Sequence, residues 1–120
     1  MKAAFASVVL LSLSLTVEAQ SNLKESSNSF ARYSNTGDIK QLESAKKFID
    51  DAYKTKRDTT NSRNNILRAL IYSSLAYADS TQKIKTPQDP IIISKKALAK
   101  IRPRDKENFE SEINYINQNL

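Results

Sequence analysis

Histidine and cysteine are both absent from this chain of 120 residues. Without them neither a Ser-His-Asp nor a Cys-His nucleophile can be assembled, and the usual zinc and transition-metal ligand sets are missing. Disulfides are excluded too, as is a lipid anchor attached through a cysteine. Glycine occurs once, at Gly37, which rules out glycine-rich phosphate loops and dinucleotide fingerprints. With only three prolines besides, a turn-rich β-sandwich is disfavoured. The composition therefore points to helices. It also gives the expectation of a protein with no catalytic centre, no metal and no cofactor.

What is present starts at the N-terminus. Lys2 supplies a positive start, Ala3 to Leu15 is apolar and uncharged, and Val17-Glu18-Ala19 has small residues at the cleavage spacing. This pattern predicts a secretory signal peptide over residues 1–19, cut before Gln20. The apolar run falls short of the about 20 residues that a spanning helix needs. No second such stretch follows, so the mature protein is expected to be exported, periplasmic or secreted, without a transmembrane anchor.

The remaining part, about 100 residues, suits one small domain with a modest core. Charge is 19 basic against 13 acidic side chains, net +6. Lys2 and Glu18 cancel within the signal, so the mature chain keeps that surplus. Such a surplus gives weak attraction to anionic surfaces, although helical exported proteins often carry one only for solubility.

Along the mature chain, residues 20–37 are rich in Ser and Asn and show no sustained period. They read as a flexible linker; a short docking helix around Phe30 to Tyr33 is the alternative. From Asp38 the pattern changes. Ile39, Leu42, Ala45, Ile49 and Ala52 mark one apolar helical face, with Asp38 placed as N-cap. This helix should run to about Lys54, ending in the polar run Lys56 to Thr60. A second helix, from about Asn61 to Ala78, is apolar on several sides and should lie at the centre of the fold. Asp89-Pro90 is a strong start signal for a third, to about Ile101, closed by Pro103. Its expected buried residues are Ile91, with Ile93 or Ile92, then Ala97, Leu98 and Ile101. The Ile run leaves a strand as the alternative, which the start signal and the following Lys95 to Lys100 disfavour. A fourth, about Asp105 to Asn119, carries Phe109, Ile113, Ile116 and Leu120 at steps of four, three and four. The expected fold is an all-α, antiparallel α-hairpin stack of about four helices over residues 38–120.

Two segments bear a family resemblance. Arg68-Ala69-Leu70-Ile71-Tyr72 resembles the first helix of a tetratricopeptide repeat, with Ala69 at the small position and Tyr72 at the aromatic one. Lys95-Lys96-Ala97-Leu98-Ala99-Lys100-Ile101 followed by Pro103 resembles the end of its second helix. Glu43 to Ala52 looks like the second helix of an upstream partial repeat. Similar segments after a signal peptide occur in exported repeat proteins of the Bacteroidota type. Asn65 stands where that motif has a large residue, and Arg68 where it has an apolar one. The connection Asp79 to Gln88 is also longer than the motif's tight turn. A stack of this kind normally needs about three repeats. The chain offers one and a half, so either its last helix closes the stack as a cap, or the functional molecule is an oligomer or a truncated longer protein. The apolar stripe of that helix suits the cap, with its polar side Asn108, Ser111, Asn114 and Gln118 facing water.

The resemblance implies protein–protein contact through the exposed side of the first helix. Carried onto this sequence, that side is Arg63, Ile66, Leu70, Ser73 and Ser74. Ile66 and Leu70 have an alternative reading, covered by the helix from Asp38. The carboxylates Asp50, Asp51, Glu110 and Glu112 read as solvated helix faces, because helix neighbours do not face one another across a cleft. The tyrosines Tyr53, Tyr72 and Tyr77 read as core-edge residues. Basic clusters at Lys54 to Arg63 and Lys95 to Arg104 could neutralise phosphates. Export and the absence of a stacking platform argue against nucleic acid and favour envelope polymers or lipid headgroups. The expectation is a non-enzymatic exported adaptor for an unidentified protein or peptide, the alternative being an electrostatic binder of anionic envelope material.

Overall fold

In a computed structural model that describes residues 20–120, the chain is all-α, a stack of packed helix pairs with no strand among the described residues. The expected signal peptide, residues 1–19, lies outside them. Among the described residues six α-helices follow one another: α1 over residues 20–36, α2 Ile39–Ala52, α3 Lys56–Thr60, α4 Ser62–Ala78, α5 Pro90–Ala99 and α6 Glu110–Asn119. No helix among the described residues is long and apolar enough to cross a membrane.

The first correction to the sequence reading is α1. Residues 20–37 are not a linker. Leu23, Phe30 and Tyr33 pack against the core, and between them Ser26 and Ser29 are 0 % and 2 % exposed. Small serines let two helix backbones approach closely, and the Ser26 hydroxyl donates to the Ala45 carbonyl of α2 at 2.8 Å. A buried face made partly of serine carries no apolar period, so the sequence offers only the end of this helix, as the alternative of a docking helix around Phe30 to Tyr33. Gly37 ends α1 at φ +72°, a left-handed value that glycine alone adopts freely, and its N–H donates to the Tyr33 carbonyl at 2.7 Å. Asp38 then caps α2 by accepting from the Lys40 N–H at 3.0 Å. So α1 and α2 form a hairpin with a two-residue turn.

A second hairpin is made by α4 and α5. Asn61 caps α4 and Asp89 caps α5, with Pro90 in the first turn as the sequence indicated. The Ser94 hydroxyl of α5 donates to the Ala69 carbonyl of α4 at 3.1 Å, another close approach through a small side chain. The polar run after α2 is itself a short helix, α3, capped by Thr55. Between α4 and α5 the connection is ordered by Asp79. Its carboxylate accepts from the Lys83 and Ile84 N–H groups at 3.1 and 2.8 Å, and Ile84 packs on the core.

Two apolar clusters hold the stack. One joins α2 and α4 through Leu42, Ala45, Ile49, Ile71, Tyr72 and Leu75, and reaches Ile93. The other joins α4, α5 and α6 through Ile66, Ala69, Ala97, Ile101 and Ile116. Helix α4 contributes to both, which fulfils its expected central place. Of the three consecutive isoleucines only Ile93 is buried, at 4 %. Ile91, expected to be buried, is exposed, as is Ile92, because the face of α5 that meets α4 passes through Ile93, Ser94 and Ala97. Tyr77, expected at the core edge, is 73 % exposed. The last segment begins with 3-10 turns at Pro103–Asp105 and Glu107–Phe109 before α6. Helix α6 buries Ile116 against α4 and α5 while Asn108, Ser111, Asn114 and Gln118 face solvent.

Candidate functional site

Helix α4 has more neighbours than a surface helix, and the space between two of them is a groove. Its floor is the start of α4, with Ile66, Leu67 and Leu70. One wall is α1, which presents Leu23, Lys24, Ser27 and Asn28. The other is Phe109 and Glu112 at the start of α6. The volume is about 650 Å³, within the range of ligand pockets in general. Five apolar side chains line the depth, while Lys24, Arg63 and Glu112 stand at the rim. None of these three charges forms an ion pair among the described residues. The rim therefore has two cationic groups against one carboxylate.

Three of the five residues singled out from the sequence line this groove. Arg63 is exposed at the rim, Leu70 is half-buried, and Ile66 is 4 % exposed at the floor. Ile66 packs with Ala97 of α5, Ile101 just after it and Ile116 of α6, not beneath α2. Ser73 and Ser74 are a correction. They are 0 % and 1 % exposed and lie outside the groove lining. Helix α4 is enclosed on several sides at that level, so its polar residues there are small ones; the Ser73 hydroxyl donates back to the Leu70 carbonyl at 3.2 Å. The sequence could not supply the walls, because one belongs to a segment with no apolar period and the other lies about forty residues downstream.

Beyond the groove, α1 carries a pair of aromatic rings. Phe30 and Tyr33 lie with ring centroids 6.1 Å apart. Burial, then the neighbouring Tyr115 and Tyr77, push the Tyr33 hydroxyl above its ordinary pKa of 10.0.

A second constellation, between α2 and α4, was also misjudged. Asp50, read as a solvated carboxylate, accepts from the Tyr72 hydroxyl at 2.8 and 2.9 Å and from Arg68 at 3.0 Å. Lys46 pairs with it at 3.1 Å. The Arg68 guanidinium lies over two rings, 4.2 Å from the Tyr53 centroid and 5.0 Å from that of Tyr72. Burial, then the Asp50 hydrogen bond, raise the Tyr72 pKa above 10.0. Next to this lies Asn65, fully buried. It donates to the Thr59 and Asn61 carbonyls at 3.0 Å each and accepts from the Tyr53 hydroxyl at 2.6 Å. Lys100 of the α5 end reaches the same hydroxyl at 3.0 Å. Asn65 and Arg68 are thus at the centre of a polar network tying α2, α3, α4 and the end of α5 together.

At the first residue of α4, Ser62 donates to the Asp105 carboxylate at 2.8 Å and accepts from the Arg102 N–H at 3.3 Å. These bonds hold the link to α6, and with it the Phe109 wall, against the start of α4. The Ser62 bond, with Arg102 close by, lowers the Asp105 pKa below 3.8. Compared with family models, with curated proteins and with solved structures, the chain finds no match.

Proposed function

We propose that this protein is an exported, non-enzymatic adaptor that holds a segment of a partner protein in the groove over α4. The observation that carries the reading is the groove itself, an apolar floor with a net cationic rim. Two hairpins and a closing helix place α1, α4 and α6 along it. That is the arrangement by which a tetratricopeptide-like stack would present its first helices to a partner. With α1 included the chain has two helix pairs and a closing helix, one helix more than the sequence alone indicates. Apolar depth with Lys24 and Arg63 above it suits a segment with apolar anchors and a nearby acidic residue.

Selection from a displayed random-peptide library tests this. Selected peptides should combine apolar residues with Asp or Glu, and should lose binding to the double variant Lys24→Glu, Arg63→Glu. Both side chains are exposed, so the variant should keep its circular dichroism. Selected peptides that bind wild type and variant alike would refute the groove as the site.

A further inference from the structure

Five lysines converge on one surface hollow away from the groove. Lys40, Lys46 and Lys47 come from α2, and Lys83 and Lys85 from the connection after α4; Glu43, Ser44 and Ile84 complete the lining. The volume is about 650 Å³. Lys46 is engaged with Asp50 at 3.1 Å. The other four ammonium groups make no ion pair among the described residues, and Glu43 is the one carboxylate in the lining. None of these five belongs to the basic clusters visible in the sequence, because nearly forty residues separate their two sources.

The placement of Lys83 and Lys85 is fixed by the fold. Asp79, 7 % exposed, accepts from the Lys83 and Ile84 N–H groups. Ile84 is pinned in the core, and Gln82 turns the chain at φ 55° with its N–H donating to the Asp79 carbonyl at 2.8 Å. A side chain other than glycine at positive φ is a local cost that the surrounding bonds must offset. That device sets two lysines opposite three others, although like charges gathered in one hollow repel. A multivalent anion relieves the repulsion and is held by several ammonium groups together.

We propose that this hollow binds several clustered phosphate charges at once, whether on a free or polymeric anion or on neighbouring lipid headgroups. The claim is independent of the groove over α4, and its test uses different residues. The probes are inorganic tripolyphosphate, followed by titration calorimetry, and phosphatidylcholine vesicles with or without phosphatidylglycerol, followed by cosedimentation. Wild type should bind tripolyphosphate saturably at low salt and progressively less as salt rises. The double variant Lys47→Ala, Lys85→Ala should lose affinity by about 30-fold, from the usual contribution of one lysine near phosphates. A control with the same change of net charge, Lys95→Ala, Lys106→Ala, should stay within about twofold, since local contacts dominate over screened distant charge. Cosedimentation with phosphatidylglycerol vesicles, lost in the hollow variant alone, would assign the phosphates to lipid. Binding of tripolyphosphate without vesicle binding would assign them to a soluble or polymeric source. Equal losses in both variants, or no saturable binding by wild type, would overturn the site.

Discussion

Replacing Asp50 by Asn removes one charge from the network between α2 and α4 while keeping its shape. The Asn oxygen can still accept from Tyr72, and Arg68 stays over both tyrosine rings. What is lost is the carboxylate opposite Arg68 at 3.0 Å and Lys46 at 3.1 Å. The Arg68 and Asp50 side chains are 15 % and 28 % exposed, so the pair is neither a surface ion pair nor a dry one. Exposed pairs contribute about 0–1 kcal/mol, and removing one partner of a buried pair costs about 3–5. An intermediate cost of about 2 kcal/mol follows, which for a domain of this size lowers Tm by about 10 °C. Asp51→Asn is the matched control: its contact with Lys54 is 3.9 Å long and both side chains are well exposed, at 48 % and 70 %. That variant should cost less than about 0.5 kcal/mol. Thermal unfolding followed by circular dichroism measures both. Equal Tm values for the two variants would refute the reasoning that the network contributes more than a surface pair.

Three other outcomes are expected. Because the folded-state pKa of Tyr72 is raised, its contribution is fully present below the unfolded value near 10.0 and is lost as pH rises above it. Wild type should therefore lose stability above about pH 10, and Tyr72→Phe should show a shallower alkaline loss by denaturant titration, with Tyr33 accounting for part of the remainder. Ser26→Val forces a branched side chain into the α1–α2 contact and removes the bond to Ala45, so the urea midpoint should fall by the equivalent of about 2 kcal/mol. Ile116→Ala, at a fully buried position, should cost about 2–5 kcal/mol, and faster amide exchange in α6 would report its loosening against α4.

Helices α2, α4, α5 and α6 were legible from their apolar periods, with Asp38 before α2 and Asp89-Pro90 before α5 as caps. Helix α3, which buries nothing, reads as a polar run, and α6 starts later than its period suggests because 3-10 turns precede it. The central place of α4 followed from its apolar breadth. Helix α1 was not legible, since Ser26 and Ser29 occupy its buried face and serine counts as polar in any pattern. Its packing is decided by close approach and a hydrogen bond to Ala45, which depend on the partner helix. The same limit hid the candidate site. Arg63, Ile66 and Leu70 could be named from one helix, but the walls at Leu23 and Phe109 exist only once three helices are assembled. Asp50 was misread for a related reason, as Arg68 and Tyr72 lie about twenty residues away.

The groove reading can be tested on the protein among its natural neighbours. A photo-crosslinking residue is placed at Ser27, an exposed position on the α1 wall, and separately at Ser111, exposed on α6 outside the groove lining. Both forms are irradiated in an extract of the source cells at high salt, which suppresses nonspecific charge contacts. The account predicts a discrete protein adduct from position 27, lost when Lys24→Glu and Arg63→Glu are added, and none from position 111. Identical adducts from both positions, or none from position 27, would contradict it.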